Sequence, residues 1–160
     1  MIEHSITGIK QYVELIDQYK VSMYRGVSNK EYQLIPSIGR TWKGGLDELI
    51  ISEREMLEDL RLRAVPLLDR LPVTDWEWLI LGQHFGMPTR LLDWTANPLV
   101  ALYFACIEDN KEDGAVYLSF GLPQLDLTSI SGPFEATEDC FLSPRHITPR
   151  ITAQSAFFTV

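Results

Sequence analysis

Gln83-His84-Phe85-Gly86-Met87-Pro88-Thr89-Arg90-Leu91-Leu92-Asp93-Trp94-Thr95-Ala96-Asn97-Pro98-Leu99-Val100-Ala101-Leu102-Tyr103-Phe104-Ala105 joins two apolar segments through a connection rich in Gly, Pro and polar side chains. A flexible linker is polar and simple in composition. This connection carries Arg90, Asp93 and Trp94 between Pro88 and Pro98, which suits a segment that holds polar groups at fixed places. On its N-terminal side, Thr74 can cap a helix over residues 75–85, with Glu77 as capping-box partner, and Gly86 and Pro88 stop that helix. On its C-terminal side, Asn97 followed by Pro98 starts a helix that runs to about Ile107, because Pro suits the first turn, where its missing N–H is not needed. That second helix is nearly all apolar, which predicts that it is buried.

Further out, Ile9, Val13 and Ile16 fall on one stripe of a helix that follows Thr7 and ends near Lys20. Residues 21–27 read as a short strand that delivers Tyr24, Arg25 and Gly26. Residues 46–68 form a long helix candidate rich in Glu, Leu and Arg, which Pro66 should kink or end. Residues 114–120 alternate as a strand, 121–132 read as loop, and 139–142 and 156–160 are further strand candidates. Helices come early and strands late, which indicates a single α+β domain over residues 1–160 with a mostly antiparallel sheet.

The 160 residues suffice for one domain with a buried core. A net charge of -8 argues against broad binding of a nucleic-acid backbone, which needs clustered Lys and Arg. Cys106 and Cys140 show no metal-ligand spacing and read as free buried thiols in a reducing compartment. No signal pattern opens the chain and no apolar run approaches the roughly 20 residues of a membrane span. The expectation is a soluble, cytoplasmic protein.

Several residues carry candidate chemistry. Arg25, on a strand, can pair bidentately with a carboxylate or a phosphate, and Gly26 permits close approach of a ligand or a tight turn. The plainer alternative is a structural ion pair with a turn glycine. Arg90 and Asp93 can form a buried salt bridge or bind loop carbonyls, and both are expected to be mostly buried, so that Asp93→Ala would cost roughly 3–5 kcal/mol. Trp94 can stack on a ligand ring or fill core. His84, beside Gln83, can act as a general base or a hydrogen-bond donor. No other His, Cys or Asp lies at zinc spacing around it, so no metal is expected. Glu135, Glu138 and Asp139 form an acidic cluster, and Gln154 is an amide in an apolar run that must find a partner if buried.

Taken together, Tyr24-Arg25-Gly26, then Tyr32-Gln33-Leu34-Ile35-Pro36-Ser37-Ile38-Gly39-Arg40, then residues 83–95, then Ala101-Leu102-Tyr103-Phe104-Ala105 closely resemble the FRG domain family, named for its aromatic-Arg-Gly motif. The resemblance covers roughly residues 5–108, and Arg150, Ile151, Gln154 and Phe157 resemble the family's usual ending. Tyr24 stands here where the name implies Phe. A more distant similarity is to ADP-ribosyltransferases of the Arg–Ser–Glu class. Arg25 resembles their first element, and Trp94-Thr95 leading into residues 97–104 resembles a degenerate second one. For the third, Gln154 stands where a Glu would be expected, while Glu138 and Asp139 precede another strand-like segment. A Gln can hydrogen-bond a ribose hydroxyl but cannot stabilise an oxocarbenium-like state with a full charge.

The resemblance implies an NAD-like ligand in a cleft lined by Arg25 and residues 83–95, with ADP-ribosyl transfer or NAD hydrolysis as the reaction. Arg25, His84, Glu138 and Gln154 would be the catalytic candidates. Tyr24, Gly26, Gln83, Thr89, Arg90, Asp93, Trp94, Thr95 and Arg150 would line the ligand site. The competing reading is a non-catalytic domain that binds a protein target, its Arg and Asp motifs being structural. A nucleic-acid module is disfavoured by the acidic balance unless Arg25, Arg40, Arg90 and Arg150 converge.

Overall fold

A computed structural model describes residues 2–108, 112–125, 132–135, 139–143 and 156–160. In it, four α-helices pack on one five-stranded sheet. The helices are α1 (Ile9–Gln18), α2 (Leu46–Ala64), α3 (Asp75–His84) and α4 (Pro98–Cys106). The strands are β1 (Met23–Val27), β2 (Leu92–Thr95), β3 (Ala115–Ser119), β4 (Phe141–Leu142) and β5 (Ala156–Thr159). The sheet order is β3-β1-β2-β5-β4, and every strand pairing is antiparallel. The α+β expectation therefore holds.

Local chemistry explains the helix boundaries. The Thr74 side chain accepts from the Glu77 N–H and opens α3, while the Glu77 carboxylate accepts from the Val73 N–H, one residue further out than a reciprocal capping box requires. The Asn97 side chain accepts from the Leu99 N–H, with Pro98 filling the first turn of α4. At the other end of α2, the helix closes at Ala64, and a 3-10 turn over Val65–Leu67 takes in Pro66. The α-helix thus ends just ahead of Pro66 as expected, because Pro66 has no N–H for the α ladder.

Strand alternation divides the core between the two sheet faces. Leu92 and Trp94 join Met23 on one face, with Tyr117, Phe141 and Phe157 packed against them. Phe158 and Leu142, which alternate with Phe157 and Phe141, join Leu57, Trp76, Trp78, Leu79 and Leu91 in the larger cluster beneath α2 and α3. Six of the ten residues of α3 are buried. It is enclosed because α2 covers one side and the sheet the other.

The apolar α4 was expected to be the buried helix, and this is corrected. Only Ala101 and Ala105 are buried in it, and Leu99, Tyr103 and Ile107 lie on its exposed side. Apolar content does not fix how many neighbours a helix has, and α4 has the sheet on one side only. A similar correction applies to α1, where Tyr12 is buried while Ile9 and Val13 of the expected stripe are exposed. Cys106 is exposed rather than buried, and both cysteines are free.

What holds α4 is the closeness of its approach to β1. A Cβ on Gly26 would stand 1.8 Å from the Ala101 carbonyl oxygen, and one on Gly114 would stand 2.1 Å from that of Ala105. Neither position has room for any side chain. The Tyr12 hydroxyl donates to the Pro98 carbonyl at 2.7 Å and ties α1 to the start of α4.

Gly26→Ala should destabilise the fold by about 3 kcal/mol or more, because the clash is with main chain that cannot rotate away. Urea unfolding checks this, and a loss below about 1 kcal/mol would mean that α4 can lift from the sheet at little cost. A pH series gives a second check. Burial, and secondarily Tyr24, pushes the Tyr12 hydroxyl up from 10.0 to about 12. Its contribution is complete below the unfolded value and is lost as pH rises through the folded one. Stability should fall between pH 10 and 12, and less steeply in Tyr12→Phe.

Candidate functional site

Beyond Tyr24↔Thr95, the single paired position between β1 and β2, the Arg25 side chain bridges the strands. Its Nη1 donates to the Asp93 carbonyl at 2.6 Å and lies 3.9 Å from an Asp93 carboxylate oxygen. The guanidinium serves as a side-chain rung where the main-chain ladder stops. The Arg25 side chain is 15% exposed and its Nε is buried without a hydrogen-bond partner among the described residues. Burial holds its pKa below the usual arginine value, Asp93 opposes that shift, and the charge of Arg40 adds to it. Arg40 is itself exposed and donates Nε to the Ile35 carbonyl.

A chain of hydrogen bonds runs on from Asp93. Gln83 at the end of α3 donates Nε2 to Asp93 Oδ1 at 2.6 Å, and its Oε1 accepts from the Thr89 hydroxyl. Thr89 is fully buried and receives the 3-10 turn over Ser37–Gly39. Its N–H donates to the Ser37 hydroxyl, and its carbonyl accepts from that hydroxyl and from the Ile38 N–H. The segments around Tyr24, around Ser37 and over residues 83–95 are therefore parts of one polar network. The sequence offered them as separate motifs.

Of the two expected roles, an Arg90–Asp93 salt bridge is not formed, while Arg90 is mostly buried as expected. Arg90 instead meets Glu53 of α2, whose side chain is 1% exposed. Glu53 Oε1 accepts from the Arg90 N–H at 2.7 Å and Oε2 from Arg90 Nε at 2.6 Å. Arg90 Nη1 donates to the Pro133 carbonyl, and the guanidinium stacks 4.9 Å over the Phe134 ring. Asp93 is not buried as expected, since its side chain is 62% exposed. It lies on the face of β2 opposite Leu92 and Trp94, across from Phe158, where its carboxylate meets the Gln83 amide at the end of α3. Glu53 was missed because nothing in residues 46–68 distinguishes it from its charged neighbours, and its partner lies 37 residues away.

The remaining candidates sort by position. The Tyr24 ring is buried and its hydroxyl donates to the Val21 carbonyl at 3.0 Å. The face of Gly26 is filled by Ala101 of α4. Trp94 is core, with Nε1 donating to the Thr159 hydroxyl. Thr95 is buried, and its hydroxyl accepts from the Asn97 N–H. His84 is half-buried at the end of α3, edge-on to the exposed Phe85 ring at 5.1 Å. Glu135 ends a 3-10 turn over Pro133–Glu135. Glu138, Arg150 and Gln154 lie outside the described residues. Arg25, Arg40, Gln83 and Asp93 are thus brought together, while Arg90 is committed to Glu53. Among the described residues, no three His, Cys, Asp or Glu side chains come together as a metal site.

The chain belongs to the FRG domain family, whose model matches residues 20–114. The match takes in the Arg25 rung, Glu53 and Arg90, the Thr89–Gln83–Asp93 chain and the whole of α4. No curated protein and no solved structure matches the chain. Among the described residues, no helix is long and apolar enough to cross a membrane.

Glu53→Ala should cost about 3–5 kcal/mol, because it leaves a buried guanidinium without its counter-charge. Asp93→Ala should cost less than about 1 kcal/mol, as exposed ion pairs contribute little. Equilibrium unfolding of the two variants side by side checks the assignment. The reverse ranking would place the lock at Asp93.

Proposed function

We propose that this FRG-domain protein binds an NAD-like nucleotide on the surface formed by Arg25, Arg40, Gln83 and Asp93. The carrying observation is the pair of arginines at the β1–β2 junction, the largely buried Arg25 and the exposed Arg40, close enough for their charges to interact. Burial and Arg40 disfavour the Arg25 charge and Asp93 partly offsets them, so an anion between the two arginines would add a second counter-charge. A phosphate fits that donor set. Arg25 and Arg40 would hold the phosphate charge, and the outward Asp93 carboxylate suits a ribose hydroxyl. His84 and Phe85 at the end of α3 would supply a further donor and an aromatic face. Bound NAD would supply the glycosidic bond broken in ADP-ribosyl transfer or NAD hydrolysis, which is the reaction class proposed with it. Glu138 and Gln154 are kept as the acid and amide candidates for that step on their resemblance alone.

A second reading is a non-catalytic domain that docks on a protein target. The exposed Leu99, Tyr103 and Ile107 of α4 favour it, since contiguous apolar surface marks interaction sites.

Titration calorimetry with NAD separates the two. Wild type should bind, and Arg40→Ala should weaken binding by about tenfold, or about 1.4 kcal/mol. Arg40 is exposed, so that variant should keep its fold. Arg25→Ala should lose binding, and loss of the rung to Asp93 should also lower its stability. Absence of heat with wild type would remove the nucleotide reading and leave the docking domain.

A further inference from the structure

The long helix α2 uses little of its surface for the core. Only Glu53, Leu57 and Ala64 are buried in its nineteen residues. On another side, Ile50, Arg54, Glu58 and Leu62 follow one another at a spacing of four, which places them in one row along the helix. With Ile51, Glu55 and Asp59 they line a shallow groove. Leu62 is 80% exposed, Ile51 is 58% exposed and Ile50 is half-buried, so apolar side chains at both ends of this surface reach solvent.

The order within the row matters. It reads apolar, basic, acidic, apolar. We propose that this face of α2 is a two-fold self-association surface, on which α2 of a second copy lies antiparallel. Turned end for end, the row complements itself, with Ile50 opposite Leu62 and Arg54 opposite Glu58, each contact occurring twice. That is the requirement of an isologous interface, where one patch meets its own copy. A parallel alignment would set Arg54 against Arg54 and Glu58 against Glu58, so charge selects the antiparallel arrangement.

The charged side chains are prepared for this contact. Arg54 stacks over the Phe134 ring at 4.7 Å and makes no hydrogen bond or ion pair among the described residues. The ring steadies the guanidinium while its N–H groups stay free. Glu58 accepts from Arg61 through Oε1, and its side chain remains 59% exposed. A carboxylate has room for a second donor. The row spans about 18 Å along the helix axis at 1.5 Å per residue, so the interface is small and the association weak. An unrelated partner helix would have no need of a row that complements itself on reversal.

Sedimentation equilibrium over a concentration series, up to about 0.5 mM, tests this, since a Kd near 1 mM is the weakest association of interest. Wild type should show a monomer–dimer equilibrium. R54E and E58R should each weaken it at least tenfold, because each sets like charges across the axis. An equimolar mixture of R54E and E58R should associate again, as the first carries two acids and the second two bases. The double variant R54E/E58R should also recover dimer, since the row again complements itself. Circular dichroism of each variant controls for folding. Wild type that stays monomeric throughout, or a mixture that fails to associate while both proteins are folded, would overturn the proposal.

Discussion

A carboxylate at 1% exposure in the middle of a helix cannot stand alone, and Glu53 sets the terms for much of this molecule. Desolvation of an unpaired charge costs more than most folds can offset. Glu53 therefore demands Arg90, and takes both its backbone N–H and its side chain. Fixing Arg90 fixes Thr89 beside it, to which the Ser37–Gly39 turn is bound. Thr89 orients the Gln83 amide, Gln83 holds Asp93, and the Asp93 carbonyl receives Arg25. One buried charge on α2 is connected in this way to the β1–β2 junction.

That connection explains why the FRG motifs occur together. The arginine that names the motif bridges two strands, and the glycine after it makes room for α4. These are scaffold roles. They coexist with the proposed ligand role because Nη1 serves Asp93 while the guanidinium lies close enough to the exposed Arg40 for their charges to interact. The rigid placement of that group follows from the same contacts that stabilise the fold.

The sequence was most legible where structure is set by neighbours in the chain. Thr74, Asn97 and Pro98 bound their helices as their chemistry requires, and the alternation of residues 114–120 matches β3 closely. It was least legible where a partner lies far away. Leu92–Thr95 is too short to read as a strand inside a loop, yet it pairs with both β1 and β5. Glu53 has the sequence surroundings of a solvated helix face. Asp93 was placed inside because a loop rich in Pro and Gly needs internal partners, whereas the buried partner of Arg90 is Glu53 and the Asp93 side chain is 62% exposed. The apolar α4 and the stripe on α1 show the same limit, since composition reports what a segment could bury and not what stands opposite it.

The sheet order also bears on how the chain reaches this state. β5 follows β4 in sequence but lies between β2 and β4, so among the described strands β4 joins the sheet only through β5, while its Phe141 also bridges Gln124. Until β5 is in place β2 carries an open edge, with Trp94 lacking its neighbour Phe157 and its hydrogen bond to Thr159. Pairings between segments this distant close slowly, because the intervening chain must be ordered first. Half-finished molecules would present an unpaired strand flanked by large apolar groups, the form most prone to pair with another molecule. Insertion of β5 then closes the open edge of β2.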